Sequence, residues 1–87
     1  MSKLWFVYIV RCKDGTLYTG ITTDLERRVN EHNTSNKGAK YTRSKRPVQL
    51  VYHETYPNRS EASKREYMIK KRLSKEEKEE LIKPKQR

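Results

Sequence analysis

The apolar residues of this chain are concentrated in a few short stretches. Residues 4–10 form one continuous run of aliphatic and aromatic side chains, which is typical of a strand covered on both faces. We expect this run to be the central strand of a sheet. Residues 16–21 predict a second strand that forms a hairpin with the first, and residues 48–55 predict a third strand.

The loop of this hairpin decides which side chains share a face. A two-residue turn would place Tyr8 and Tyr18 on opposite faces of the sheet. A three-residue loop with Gly15 in the left-handed conformation places both tyrosines on one face. We favour the three-residue loop, which pairs Tyr8 with Gly20. The missing side chain at Gly20 would then leave space beside the Tyr8 ring where a ligand backbone could approach.

Polar residues mark where helices begin. Thr23 and Glu26 have the spacing of a capping box, which predicts a helix from residue 23 to about residue 33. Ser74 and Glu77 form a second box, opening a short charged helix that Pro84 stops. The glycine-containing residues 33–40 predict a loop between the first helix and the third strand.

The first helix carries both apolar and polar side chains toward the interior. Leu25, Val29 and His32 recur on its inward face. Arg28 lies beside them, one turn before His32, so these two polar side chains are neighbours.

A later helix has an acidic residue in its apolar stripe. Asn58 with Glu61 resembles a further helix cap. The inward positions of the following helix then recur at helical spacing, at Ala62, Glu66, Ile69 and Leu73. An unpaired carboxylate at Glu66 would be costly to bury, so we expect it to have a cationic partner.

Length and charge restrict the classes of function. Eighty-seven residues provide one small domain, which we assign to residues 1–83, followed by a frayed basic tail at residues 84–87. Lys and Arg total 21 against 11 for Asp and Glu, a net charge of +10 that favours polyanionic partners. These numbers exclude a large multidomain enzyme.

Cysteine content and hydropathy bear on the compartment. A single cysteine, Cys12, excludes an intrachain disulfide and a multi-cysteine zinc site, and it is typical of a reducing compartment. The apolar run at residues 4–10 is far shorter than the roughly 20 residues that span a bilayer. We therefore expect a cytoplasmic protein without a membrane anchor, in which Cys12 is a packing residue.

Five groups of residues occur in an order and at spacings that resemble the GIY-YIG nuclease superfamily. They are the tripeptides FVY at residues 6–8 and YTG at residues 18–20, then Arg28, His32 and Glu66. The first glycine and both isoleucines of the eponymous motif are replaced, whereas both tyrosines and the second glycine, Gly20, are kept. The stretches at residues 20–32 and 37–43 look like the short, single-domain bacterial branch of that superfamily.

The resemblance implies an α+β fold, with a three-stranded antiparallel sheet flanked by helices in the order β-β-α-β-α-α. It also implies hydrolysis of a nucleic-acid phosphodiester with one weakly held Mg²⁺ or Mn²⁺. By resemblance, Glu66 is the metal ligand. Tyr8 and Tyr18 orient or deprotonate the attacking water, and of the two the resemblance favours Tyr8 as the general base. Arg28 contacts the scissile phosphate, which a guanidinium fork matches well. His32 assists through a hydrogen bond to a tyrosine or a phosphate oxygen.

A basic segment is the predicted nucleic-acid contact. It contains Tyr41 among four cations, Lys40, Arg43, Lys45 and Arg46, a mixture suited to phosphate contacts and to stacking. We expect DNA in preference to RNA, little readout of base sequence and no membrane partner. A chain of this size has little room for a specificity domain, so a protein partner could supply the target. The alternative is a catalytically silent nucleic-acid-binding module of the same fold.

Overall fold

The structure is a computed structural model that describes residues 3–34 and 40–84. Its elements are β1 (Trp5–Arg11), β2 (Leu17–Thr22), α1 (Leu25–Thr34), α2 (Lys40–Arg43), β3 (Gln49–Tyr56), α3 (Arg59–Arg72) and α4 (Lys75–Ile82). The expected order of strands and longer helices is confirmed, with α2 as one additional short turn. No helix within these residues is long and apolar enough to cross a membrane.

The three strands form one antiparallel sheet in the order β2-β1-β3. β1 is therefore the central strand, as its continuous apolar run predicts, and each of its faces is covered by a helix. Val7 and Ile9 pack with α3 on one face, and Tyr8 and Val10 pack with the Leu25 side of α1 on the other. The sheet thus separates two small cores.

The three-residue hairpin loop is confirmed. The backbone N–H of Cys12 donates to the carbonyl of Thr16 at 2.8 Å, and the N–H of Gly15 donates back to the carbonyl of Cys12 at 2.9 Å. Gly15 has φ of 86°, a conformation that a residue without Cβ adopts readily. Consequently Tyr8 pairs with Gly20 and lies on the same face as Tyr18.

The cap of α1 differs from the prediction by one residue. Thr23 was expected at the N-cap with Glu26 as its partner, but the Asp24 carboxylate accepts the N–H of Arg27 at 3.0 Å. The Thr22 hydroxyl accepts the N–H of Asp24 at 3.1 Å. This hydrogen bond fixes the backbone just before the first residue of α1. A charged acceptor in the first turn also interacts favourably with the helix dipole, so the carboxylate replaces the threonine hydroxyl as the cap.

The predicted caps of α3 and α4 are confirmed. The Asn58 side chain accepts the N–H of Glu61 at 2.9 Å. Ser74 and Glu77 form both halves of a capping box. These polar caps fix where the two helices begin, and in α3 this places Glu66 two turns after the cap.

A carboxylate with three donors attaches α3 to the sheet. Glu54 of β3 accepts both Nε and a terminal nitrogen of Arg65, at 2.9 and 3.0 Å. It also accepts the hydroxyls of Tyr52 and Tyr56. Burial alone would raise the pKa of the Glu54 carboxyl, but these hydrogen bonds outweigh burial and lower the pKa. Because Arg65 precedes Glu66, this contact also fixes the orientation of α3 at Glu66.

We predict that Glu54→Gln destabilises the fold by about 2 kcal/mol at pH 7, because it leaves the Arg65 charge without its counter-ion. The loss should be visible as a lower urea midpoint of unfolding. Since the folded pKa of Glu54 is lowered, its contribution is present above its ordinary pKa and declines as the pH falls below that value. The difference between parent and variant should therefore shrink in acid.

The matched control is Glu79→Gln. Glu79 makes a similar paired contact, accepting both terminal nitrogens of Arg11 at 2.7 and 2.8 Å, but this pair lies nearer the solvent. Exposed ion pairs contribute little to stability. Equal loss in both variants would contradict the special role of Glu54.

Candidate active site

The candidate site lies at the β2 edge of the sheet, where α1 and α3 approach it. Tyr8 of β1 and Tyr18 of β2 share one face, and His32 of α1 packs against both. The ring centroid of His32 lies 5.8 Å from that of Tyr8 and 5.4 Å from that of Tyr18, both with edge-on geometry. The structure thus brings together three of the residues that the resemblance selected.

A buried chain of hydrogen bonds passes through this cluster. The Tyr8 hydroxyl lies 2.8 Å from His32 Nε2, and His32 Nδ1 lies 2.8 Å from the Thr42 hydroxyl. Tyr8 is 1% exposed, and the other two residues are fully buried. Thr42 was not predicted, because a single threonine in a basic segment has no periodicity that indicates burial. Of the two roles expected for His32, the structure contains the hydrogen bond to a tyrosine.

Gly20 is required for this arrangement. A Cβ added at Gly20 would lie 2.5 Å from the Tyr8 hydroxyl oxygen and 2.7 Å from the carbon that bears it, far inside normal contact distance. The expectation of free space for a ligand backbone at Gly20 is therefore wrong. The Tyr8 ring itself lies across the glycine and fills that space, because an aromatic ring gains more from covering the backbone than from standing in solvent.

Burial keeps the two central groups neutral. Desolvation raises the pKa of Tyr8 to about 12, although a hydrogen bond and the positive charge of Arg28 act in the opposite direction. Desolvation, reinforced by the charge of Arg28, lowers the pKa of His32 to about 4. At pH 7 the site therefore contains a protonated phenol hydrogen-bonded to a neutral imidazole.

Arg28 provides a cation at this cluster. It forms an ion pair with Glu31 at 3.1 Å on the same helix, and its side chain remains 25% exposed. The same guanidinium hydrogen-bonds to Tyr8. Arg28 therefore lies between the buried phenol and the surface, where it can also contact a phosphate.

Glu66 lies on α3 with a cationic partner, as expected from its position in the apolar stripe. Lys70 Nζ is 3.5 Å from the Glu66 carboxylate, which is 24% exposed. The same ammonium group lies 5.2 Å from the centre of the Tyr18 ring, a cation–π distance. Lys70 thus connects Glu66 to the tyrosine pair. The sequence contained a signal for this contact, the four-residue spacing between Glu66 and Lys70.

The donor set around Glu66 restricts which metal could bind. No group of three or more His, Cys, Asp or Glu side chains suited to a metal occurs among residues 3–34 and 40–84. A closed zinc or calcium cage therefore does not fit the described part of the chain. A single carboxylate fits Mg²⁺ or Mn²⁺, because such ions keep several waters and take further oxygens from substrate phosphates.

The basic segment is partly engaged within the protein. Lys45 forms an ion pair with Asp14 at 3.2 Å, and Arg46 Nε donates to the His32 carbonyl at 2.5 Å. These contacts attach the segment to the hairpin loop and to α1, so each side chain has a structural role as well as a charge. Arg43 is exposed on α2. The side chains of Lys40 and Tyr41 lie outside the described part of the structure, and nucleic-acid contact by this segment stays a prediction.

The structure brings two tyrosines of neighbouring strands close to an arginine and a histidine of the next helix. A glutamate lies on a later helix. The sequence resemblance implies this arrangement for a nuclease-type catalytic domain. Residues 4–80 match the GIY-YIG catalytic domain, and the chain belongs to this family. Nucleic acid is the substrate class of such domains.

Relatives and solved structures agree with this assignment. A UPF0213 protein of Desulfotalea psychrophila is 68% identical over 79 residues, covering 91% of this chain and 71% of the relative. One of Haloquadratum walsbyi is 53% identical over 81 residues, covering 93% and 89%. The solution NMR structure of a UPF0213 protein from Bacillus halodurans is 48% identical and superimposes with a TM-score of 0.57, covering 91% of this chain and 82% of that one. An NMR structure of a protein from E. faecalis is 46% identical, with a TM-score of 0.61 and the same coverage.

We predict that the neutral state of His32 makes the fold sensitive to mild acid. Its folded pKa of about 4 lies below the ordinary value of 6.5, so the unfolded chain binds the proton more readily, and stability falls as the pH drops below 6.5. Between pH 7 and pH 5 the loss should be about 2 kcal/mol. Thermal melting of the parent and of His32→Gln over this range measures it. If the melting temperature of the parent falls between pH 7 and pH 5 by no more than that of His32→Gln, the prediction is contradicted.

Proposed function

We propose that this protein is a metal-dependent endonuclease that hydrolyses nucleic-acid phosphodiesters, with DNA preferred over RNA. The observation that carries the proposal is the buried contact of Tyr8 with His32 and Arg28, formed beside the single carboxylate of Glu66. Phosphodiester hydrolysis needs an activated water, stabilisation of charge on the phosphate and a neutralised leaving oxygen. The cluster contains side chains suited to each of these needs.

The phosphate would be held by positive charge. Arg28 presents a guanidinium that cannot lose its proton and matches two phosphate oxygens. Glu66 would hold one Mg²⁺ or Mn²⁺, and when bound such an ion stabilises charge on the phosphate and on the leaving oxygen. Lys70 Nζ lies 3.5 Å from the Glu66 carboxylate and neutralises it. A metal ion bound by Glu66 would replace Lys70, whose ammonium group would then be available to the phosphate backbone.

The proton of the attacking water would be taken by Tyr8, while Tyr18, the more exposed of the two phenols, would orient the water. Burial raises the pKa of Tyr8 to about 12, so the phenol can act as a base only after it has lost its proton to solvent. The positive charge of Arg28, and of a metal ion held by Glu66, would favour the phenolate. The phenolate would take a proton from the water, and the resulting hydroxide would bond to phosphorus as the bond from phosphorus to the leaving oxygen breaks. The hydrogen bond to His32 would hold the Tyr8 oxygen in position.

Substrate choice would come from charge more than from base readout. The net charge of +10 favours any nucleic-acid backbone, and strand ends, flaps or single strands are the expected substrates. A protein partner could add target selection.

The second candidate function is a catalytically silent nucleic-acid-binding module. Two observations favour it: the charge of Glu66 is already balanced by Lys70, and Tyr8 is almost fully buried. A carboxylate at this position opposes phosphate approach unless a metal intervenes, which is why we prefer the enzyme.

We predict that Glu66→Gln and Arg28→Ala each lower cleavage at least about 100-fold, because each removes charge that stabilises the transition state. Binding measured without metal should change much less. The assay is Mg²⁺- or Mn²⁺-dependent cleavage of end-labelled single-stranded, duplex and branched DNA and RNA. Glu61→Gln, on the exposed start of the same helix, is the matched control and should cleave like the parent. Binding by the parent without cleavage of any substrate would support the silent module instead.

A second prediction distinguishes the role of Gly20 in activity from the role of Gly15 in stability. Gly20→Ala should abolish cleavage even in the folded protein and should also lower its stability, because the new Cβ forces the buried Tyr8 ring aside and breaks the contact with His32. Gly15→Ala meets no atom within 4 Å but has φ of 86°, so it should lower the melting temperature by an amount that corresponds to about 1 kcal/mol while the folded enzyme keeps its activity. An active Gly20→Ala protein would remove Tyr8 from the mechanism.

A further inference from the structure

The sheet face that carries Tyr8 has two more aromatic rings, Phe6 on β1 and His53 on β3. His53 pairs directly with Tyr8 in the β1–β3 register, and directly paired residues share a face. Phe6 is two residues before Tyr8 on β1, so it lies on this face as well. The ring centroids of Phe6 and His53 are 6.0 Å apart with an interplanar angle of 72°. We call these two residues the aromatic pair.

The aromatic pair is accessible although it belongs to a sheet. His53 is exposed and Phe6 is half-buried, whereas Tyr8 beside them is covered. Thr55, which pairs with Phe6 across the strands, is exposed too. A solvent-facing aromatic contact next to a candidate active site contributes little to the core, so it is available to a ligand.

No carboxylate of β3 is exposed beside the aromatic pair. The carboxylate of Glu54 lies between His53 and Thr55 in sequence, but it is engaged with Arg65 on the opposite face. The exposed positions of this strand on the Tyr8 face are therefore a ring and a hydroxyl, with no carboxylate among them. In a chain of net charge +10, a nucleic-acid strand can approach here without local repulsion.

We propose that Phe6 and His53 form a stacking platform for an unpaired base of single-stranded DNA. The proposal rests on the proposed function for the phosphodiester held near Tyr8. Tyr8 and His53 lie on neighbouring strands about 4.8 Å apart, and the Tyr8 hydroxyl reaches over Gly20 on the other side of β1. A base on His53 would therefore belong to a nucleotide further along the strand than the one held at the site. A planar ring accepts any base by its π-face, whereas the bases of an intact duplex are not exposed for stacking. The platform would therefore select unpaired strands without selecting their sequence.

The test uses the full chain, with EDTA present so that no cleavage is required. The probe is a short oligo-dT strand with one 2-aminopurine, whose fluorescence falls when the base stacks, and affinity is measured on the same strand by anisotropy. His53→Ala should weaken binding about 5- to 10-fold and abolish the quenching. His53→Phe should retain both, because it keeps the ring and removes the imidazole nitrogens.

Two further variants separate stacking from loss of structure. Phe6→Leu keeps apolar volume in β1 and removes the ring, so it should reduce quenching while the melting temperature stays close to that of the parent. Tyr67→Ala is the matched control, because Tyr67 is an aromatic side chain of α3 that is 57% exposed and does not belong to the aromatic pair. It should change neither binding nor quenching.

Three results would overturn the platform: His53→Ala binds and quenches like the parent, His53→Phe fails as His53→Ala does, or a blunt duplex binds with the same dependence on His53. The result separates this inference from the proposed function. If the parent quenches the probe but cleaves no substrate with Mg²⁺ or Mn²⁺, the nuclease proposal fails and the platform remains. If the parent cleaves but His53→Ala alters neither binding nor quenching, the platform alone fails.

Discussion

The packing of the Tyr8 ring across Gly20 is the contact on which the candidate site depends. It directs the phenol toward the β2 edge of the sheet, where the hydroxyl meets the imidazole of His32. Any larger residue at position 20 would occupy the volume that the ring needs. The three-residue hairpin loop is a condition for this contact, because a shift of one residue in the register would move Tyr18 to the other face.

The site joins a buried half and an exposed half. Tyr8, His32 and Thr42 form a chain of neutral groups from which water is largely excluded, while Arg28 and Glu66 remain partly exposed. Desolvation keeps Tyr8 and His32 neutral. Arg28 and Glu66 keep contact with solvent, so a phosphate or an ion could reach them. The hydrogen bond between the neutral phenol and the neutral imidazole holds both rings in place without placing a charge in the interior.

The residues that depart from the eponymous motif do not disturb this cluster. Thr19 lies between Tyr18 and Gly20 on β2, so its side chain points to the opposite face, where it is buried. Phe6 replaces the first glycine of the motif and adds a ring to the Tyr8 face beside His53. The replacements therefore leave both tyrosines in place, and one of them extends the aromatic surface next to the site.

Local sequence determined the three strands, the Gly15 loop, two of the three predicted caps and the shared face of the two tyrosines, because each depends on neighbouring residues or on period-two alternation. Tertiary structure decided the rest. Thr42 joins the site because α2 packs against α1, and Lys70 connects Glu66 to Tyr18 because α3 packs against β2. The space at Gly20 is likewise filled by the Tyr8 ring from the neighbouring strand. The pKa values of Tyr8 and His32 follow from burial, which depends on contacts between segments far apart in the sequence and therefore cannot be derived from local pattern.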